Sequence, residues 1–557
     1  MTREPRQATV ELERRYHRGA TDVLARLRRA KAERGRIGAD DVERIAAELG
    51  LPRAHVYGAA SFYADLGFEP RSGRTVRVCD GSACFAATCG AHVEDVRLEV
   101  AQGSGPGGTE RVYCLGYCYA SPSALDGEAA YAGADLDAQL GGRAARVDPP
   151  IPFAAPTGEP ILLARLLGHG PPAWSVWEQV LGDGDGAARV IREVEQSRLR
   201  GRGGAGFLTA RKWSLLREAS GGAKRVIANG DEGDPGSYAD RLLMERDPHG
   251  VLEGVALAAL ACGASQGYVY VRSEYPAARD ALSAAVLEAR DAGHLGSNIH
   301  GAGFNLEIDV FEGAGSYVAG EETALLHSME GLRGGAAARP PFPAGRGGLY
   351  GIPTAVNNVE TLSALQWIVA RGGEAYAEKG SGADRGTKLV CLNERFTRPG
   401  VYEVEFGTSI AEIYEGLGGG LRAGRLRSLQ IGGPLGGFLA PDELEVPLTI
   451  EALAKRGVSL GHGSLIAFDE RIPGPALLQH LWRFAADESC GSCSPCRVGS
   501  RRGLELAGRA AAGEGNPEAL EQVLHAMQHA SLCGFGQSLP AAVRGLRRIY
   551  GEELEQR

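Results

Sequence analysis

Three cysteines at intervals of three, Cys490, Cys493 and Cys496 in ESCGSCSPCRVGS, bring several thiolates within reach of one centre. A fourth, Cys533 in ASLCGFGQSLP, follows the helical stretch LEQVLHAMQHA, and a helix hairpin returns it to the same corner. Four thiolates satisfy either a tetrahedral zinc ion or a 4Fe-4S cube. Zinc sites more often pair CxxC with CxxC, so the triplet with a distant single reads as a 4Fe-4S site, with zinc as the alternative. A second set, Cys79 and Cys84 in VCDGSAC and Cys114 and Cys118 in YCLGYC, places two pairs on strand-to-loop exits, which is what a 2Fe-2S rhomb requires. Cys89 could replace one ligand, but four residues already complete that set. Cys262 and Cys391 stand alone in apolar surroundings and read as small buried hydrophobes.

A second chemistry lies in glycine and carboxylate clusters. RGRGGAGFLTARKW, residues 200–213, reads either as a flexible loop or as one whose bare backbone amides approach a phosphate, with Lys212 adding charge. It does not match the GxGxxG fingerprint in a strand-turn-helix context. ANGDEGDPGS, 228–237, follows a strand-like run and presents Asn229, Asp231, Glu232 and Asp234. EGAGSYVAGEET, 312–323, does the same with Tyr317, Gly320, Glu321 and Glu322. An α/β sheet holds its ligands at such exits, and polyhydroxyl ligands need acceptors. Asn357 and Asn358 in VNNVETL add uncharged amides of the kind that hydrogen-bond a flavin or ribityl chain.

The elements that must position these residues follow from periodicity. Residues 1–70 show helical spacing and predict a small bundle; 71–148 turn to short β-like runs and a hairpin in SALDGEAAYAG. The proline-rich 149–172 reads as a linker. In 173–385, strand-like KRVIA, GYVYVR and NLEIDVF alternate with helical stretches, predicting a layered α/β sheet. A β-rich module over 386–468 and a helical region over 469–557 complete an α/β multidomain chain. Its 557 residues suit roughly three to five domains at about 100–200 residues each. The formal net charge of −9 argues against a nucleic-acid binder, and no apolar run reaches the ~20 residues of a membrane span. Arg14-Arg15 is followed by no apolar stretch, so it reads as a solvated helical face rather than an export signal, and a cytoplasmic protein is expected. Grouped thiols in that reducing compartment favour metal sites over disulfides.

LRGRGGAGF, NGDEGDPGS, GAGSYVAGEET, RPPFP, VNNVET and ESCGSCSPC with LCGFGQS resemble the flavoprotein subunit of respiratory complex I and its soluble relatives. VCDGSAC with YCLGYC resembles the adjacent 2Fe-2S subunit of thioredoxin-like fold. The chain is thus similar to a fusion of the two, as found in diaphorase subunits of NAD-dependent molybdenum or tungsten formate dehydrogenases and of NAD-reducing nickel-iron hydrogenases. The resemblance implies FMN held by Gly201, Arg202, Gly203, Gly204, Lys212, Asn229, Asp231, Tyr317, Gly320, Glu321, Asn357 and Asn358. It implies NADH near Phe207, Glu232, Asp234, Glu322, Arg339 and Phe342, with Glu232 and Glu322 positioning rather than acting as acids. It further implies a β-grasp module over 386–468 and both clusters on the cysteine sets above. Complex I members usually carry Glu at the place of Asp234 and Lys at that of Arg339. The implied activity moves a hydride between NAD(H) and FMN and single electrons onward through the clusters. The implied partner is the molybdenum- or tungsten-bearing catalytic subunit of a formate dehydrogenase, with hydrogenase subunits or a complex I module as alternatives, alongside a further iron-sulfur subunit.

Overall fold

The computed structural model describes residues 23–68, 75–92 and 108–555. Apolar residues three and four apart make amphipathic helices of Val23–Arg34, Ala39–Leu49 and Arg53–Ala60. Their shared face buries Leu24, Leu27, Val42, Ile45 and Val56 and packs onto Phe311 and Ala314 of the later α/β region. Residues 1–22, with the Arg14-Arg15 pair, and 69–70 of the predicted bundle lie outside the described residues.

Strands β1 (Val76–Cys79), β2 (Thr109–Val112), β3 (Ser123–Asp126) and β4 (Ala129–Ala132) form a sheet of order β2-β1-β3-β4. β1 and β2 are parallel, and β3–β4 is the predicted hairpin. Next, β5 (Phe153–Ala154) leaves this unit and joins a sheet further along the chain.

β6 (Arg225–Gly230), β7 (Gln266–Val271), β8 (Glu307–Glu312) and β9 (Thr354–Asn358) are all parallel, in the order β8-β7-β6-β9. Helices such as Pro248–Cys262, nearly all of whose residues are buried, cover the sheet. β6 has its sequence neighbour β7 on one side and the distant β9 on the other. The chain direction therefore switches between β6 and β9, and a crevice opens beyond their carboxyl ends.

A short hairpin of β10 (Gly380–Ser381) and β11 (Asp384–Arg385) leads to β12 (Thr387–Leu392), β13 (Gly400–Glu405), β14 (Leu426–Ile431), β15 (Gly437–Leu439) and β16 (Ser464–Asp469). With β5 they form a six-stranded mixed sheet ordered β15-β14-β16-β12-β13-β5, where the β-grasp module is expected. The helices Gly474–Glu488, Ser494–Ala511, Pro517–Ala530 and Gly534–Glu555 close the chain. Gly503 lets the second lie against Trp482 of the first, because a Cβ there would meet the indole at 2.2 Å. Among the described residues, no helix is long and apolar enough to cross a membrane.

The proline-rich 149–172 is not a free linker. Phe153 and Ala154 pair with Val401 and Tyr402, and the amides of Ile161, Leu162 and Leu163 all donate to the buried Glu403 carboxylate at 2.8–2.9 Å. Prolines fix an extended backbone but leave the other residues able to add an edge strand, which composition alone does not reveal. Glu403→Ala leaves these three amides and the Thr387 hydroxyl, which also donates to Glu403 at 2.6 Å, without their acceptor and is expected to cost about 2–3 kcal/mol of stability. Limited proteolysis should then cut within 149–172, and a cleavage rate equal to that of the wild type would show that the segment is held by other contacts.

Candidate active site

A cavity of about 460 Å³ lies at the switch point. The 200–208 loop lines it with Gly201, Gly203, Gly204 and Phe207, the following helix Thr209–Glu218 with Lys212, and the exit of β6 with Asn229, Asp231 and Asp234. The segment after β8 supplies Tyr317, Gly320, Glu321 and Glu322, with Arg339 beyond; the end of β9 supplies Asn357 and Asn358. Local chemistry sets each residue. Asn358 caps the helix Val359–Ser363, accepting from the Thr361 amide at 3.2 Å, and Glu321 caps Glu322–Met329 through the amides of Thr323 and Ala324. Lys212 donates to the Val356 carbonyl at 2.7 Å and pairs with Glu322 at 3.4 Å. Arg339 pairs with Glu321 and lies 3.6 Å from Glu322.

Three expected residues are not brought to the cavity. Glu232 is buried, and its carboxylate accepts from Ser237 Oγ and from the amides of Asp240 and Arg241, at 2.6–3.1 Å. It satisfies the start of the helix Ala239–Arg246 instead of a ligand. Arg202 turns its guanidinium to Tyr376 Oη and the Arg385 carbonyl, over the Phe406 ring. Phe342 is 58% exposed outside the cavity. Residues from distant segments take part instead: Gly432, Leu435, Gly461 and His462 from the β-rich module, and Gly534, Phe535 and Ser538 from the C-terminal helices.

The arrangement fits a phosphate-bearing, hydroxylated ligand. Gly204 has φ +100°, a conformation that side chains rarely adopt, so the loop presents backbone alone. Asp231 Oδ2 is buried without a hydrogen-bond partner, an acceptor left for a hydroxyl or N–H donor. Burial pushes the Asp231 carboxyl up to about 8, against the opposing charge of Arg272, whose Nε lies 3.5 Å away. Burial likewise raises Asp240 to about 8, with Glu232 adding to it, and Glu488 to about 7. Asp234 is held between Tyr317 Oη and His462 Nδ1, the latter at 3.0 Å. Burial would lower the His462 pKa, but the hydrogen bond and charge of Asp234, with Asp240 and Glu232, hold it up at about 9.

The eight expected cysteines fall into two groups. Cys79, Cys84, Cys114 and Cys118 are all buried. The thiols of Cys114 and Cys118 lie 3.5 Å apart, those of Cys79 and Cys84 are hydrogen-bonded, and Cys118 feels the charge of the other pair. Cys89 is exposed. Cys493 immediately precedes Ser494–Ala511, Cys496 sits in its first turn, and Cys533 precedes Gly534–Glu555, so two helices aim their positive ends at one spot. Burial, then the neighbouring Cys490 and Cys496, pushes the Cys533 thiol up to about 11. The first group thus brings its thiols together in pairs, and the second gathers them at the starts of two helices.

Comparison with known proteins places this architecture. The Nuo51 FMN-binding domain matches residues 194–367, the NADH-ubiquinone oxidoreductase-F iron-sulfur binding region 476–557, and the Thioredoxin-like [2Fe-2S] ferredoxin 10–137. An NADH-quinone oxidoreductase subunit of Escherichia coli (strain K12) is 41% identical over 374 residues, covering 66% of this chain and 83% of that one. The chain belongs to the complex I flavoprotein family. The NADP-reducing hydrogenase subunit HndC of Solidesulfovibrio fructosivorans is 39% identical over 372 residues, 66% of this chain and 76% of that protein. A crystal structure of NAD+-reducing NiFe-hydrogenase in the air-oxidized state superposes with a TM-score of 0.83 at 30% identity, covering 97% of this chain and 94% of that one.

This member of the complex I flavoprotein family joins the thioredoxin-like 2Fe-2S, FMN-binding and 4Fe-4S domains in one polypeptide, and is an NAD-dependent flavin and iron-sulfur oxidoreductase subunit. Its His462 had no sequence signal beyond the glycines of LGHGS beside a β-run. The folded pKa of His462 is above the ordinary 6.5, so its stabilising contribution is complete below about pH 6.5 and is lost as pH rises towards 9. The raised carboxyls of Asp231 and Asp240 work in the same direction above their ordinary range, because the folded form holds the extra protons. The thermal midpoint of flavin-free protein is therefore expected to fall between pH 6.5 and 9, with a shallower slope in His462→Gln. Parallel slopes for the two proteins would remove His462 from the linkage.

Proposed function

We propose that the chain moves a hydride between NAD(H) and FMN and passes single electrons to a partner, as the diaphorase subunit of a soluble NAD-dependent formate dehydrogenase. The observation that carries the electron-transfer reading is the convergence of fifteen expected ligand-contact residues on one cavity. FMN supplies the conversion between two-electron and one-electron chemistry. The backbone of Gly201, Gly203 and Gly204 with Lys212 holds the phosphate, while Asn229, Asp231, Tyr317, Gly320, Glu321, Asn357 and Asn358 hold the remainder. Phe207, Asp234, Glu322 and Arg339 orient the nicotinamide nucleotide, the Arg339 guanidinium being fixed between two carboxylates. No side chain is needed as acid or nucleophile; the residues align the reactants and exclude water. Cys79, Cys84, Cys114 and Cys118 ligate the 2Fe-2S cluster, and Cys490, Cys493, Cys496 and Cys533 the 4Fe-4S cluster. A second reading, a hydrogenase diaphorase subunit, is favoured by the near-complete overlap with the NAD+-reducing hydrogenase chain.

Reconstituted chain alone should reduce artificial acceptors with NADH; FMN-loaded protein inert to NADH would sink the proposal. The complex purified from its native host separates the two partners: NAD reduction by formate with molybdenum or tungsten present supports the first, and reduction by H2 with nickel the second. The clusters should be separable too. Cys533→Ala is expected to abolish the 4Fe-4S signal in electron paramagnetic resonance and spare the 2Fe-2S signal, Cys114→Ala to do the reverse, and Cys89→Ala to spare both. Loss of the 2Fe-2S spectrum in Cys89→Ala would replace one of the four ligands.

A further inference from the structure

Outside the cavity and both cysteine sets, Glu178, His294 and His300 each bring one ligand atom to within 4.8 Å of the other two. They come from three separate segments: the helix Ser175–Gly182, the turn after the helix Pro276–Asp291, and the single turn Ile299–Gly301. We propose that these side chains form a binding site for a divalent cation of the zinc class, with two imidazoles and one carboxylate as ligands and the remaining position open to solvent.

The geometry supports this. His294 Nδ1 faces His300 Nε2 at 2.9 Å and Glu178 Oε1 at 3.8 Å. Nitrogen and oxygen donors about 2.0–2.2 Å from a tetrahedral ion stand roughly 3.3–3.5 Å apart, and the two separations bracket that value. A hydrogen bond between the two imidazoles accounts for the first contact but not for the Glu178 carboxylate that faces the same nitrogen at 3.8 Å. Imidazole and carboxylate without thiolate suit zinc, nickel or cobalt rather than calcium or magnesium.

The supports are those of a held site. The His294 ring stacks on Trp174 at 4.9 Å and 7°; the Trp174 indole N–H donates to His249 Nδ1 at 3.1 Å, and His249 Nε2 meets Glu288 at 2.9 Å. His300 and Asn298 both sit in the left-handed region, with φ of 48° and 49°. That conformation is uncommon outside glycine, and strained backbone of this kind collects at ligand clamps. The loop is pinned by the Asn298 amide donating to Asn305 at 2.7 Å and the Gly303 amide donating to Asn298 at 2.9 Å. None of these residues lines the cavity, so the flavin chemistry does not account for them.

The test uses holoprotein with its iron content verified, so that no cysteine site is vacant. It is equilibrated with micromolar ZnCl2 and desalted, and its zinc is counted by mass spectrometry. Wild type should retain one zinc more per chain than His294→Ala/His300→Ala, at equal iron content and equal NADH oxidation. If the double variant does not fold, His300→Ala alone serves. Glu178→Gln should bind at least about tenfold more weakly. The pair His525 and His529, ring centroids 4.5 Å apart, is the rival surface site. His525→Ala/His529→Ala should keep the wild-type zinc; loss of zinc there, or equal zinc in wild type and the His294 variants, overturns the proposal.

Discussion

One buried guanidinium ties the flavin cavity to the first cysteine group. Arg272 follows β7 and is only 4% exposed. Its Nη1 donates to the carbonyls of Cys114 and Glu232 at 2.9 and 3.0 Å, and its Nη2 to the Tyr113 carbonyl and the Glu274 carboxylate at 3.2 and 3.0 Å. Its Nε faces the cavity carboxylate Asp231. A buried cation is tolerated only when its donors are satisfied, and the planar fork of arginine satisfies five directions at once where lysine could not. The loop that carries Cys114 and the strand exit that carries Asp231 are therefore fixed by one side chain. Arg241 repeats the device, donating to the Gly116 carbonyl at 3.0 Å and covering the Tyr117 ring.

The same region concentrates carboxylates. Asp231, Asp240 and Glu488 are all pushed upward by burial, and the protonated His462 lies among Asp234, Asp240 and Glu232. Of these groups only Asp231, Asp234 and His462 line the cavity, and there the raised acid and the His462–Asp234 pair leave less negative charge facing an anionic ligand.

Legibility in the sequence followed locality. The cysteine sets and the glycine and carboxylate loops were readable because their residues are close in the chain and the sheet topology puts strand exits together. Which way a side chain turns was not readable. Asp231, Glu232 and Asp234 share one loop, yet the middle one is consumed by the helix start at Ala239, a demand of backbone amides that lies beyond the motif. His462, Gly461 and Phe535 reach the cavity only through packing of the β-rich module and the C-terminal helices, so no short pattern announces them. Residues 149–172 illustrate the same point: their edge strand depends on Glu403 and β13, both more than 200 positions away in the chain.

The first cysteine group has a consequence for how the molecule is made. Cys79, Cys84, Cys114 and Cys118 are 0–5% exposed, and what covers them includes the flavin domain: Cys114 Sγ contacts the Ser237 carbonyl at 3.8 Å, and a Cβ on Gly81 would lie 3.2 Å from Pro235. These contacts close the flavin-domain side of Cys114, whereas Cys79 and Cys84 line a separate small cavity on the other side. The wall around the Cys114 thiol is therefore complete only once the flavin domain has docked, and carrying both units on one polypeptide makes that docking an intramolecular step.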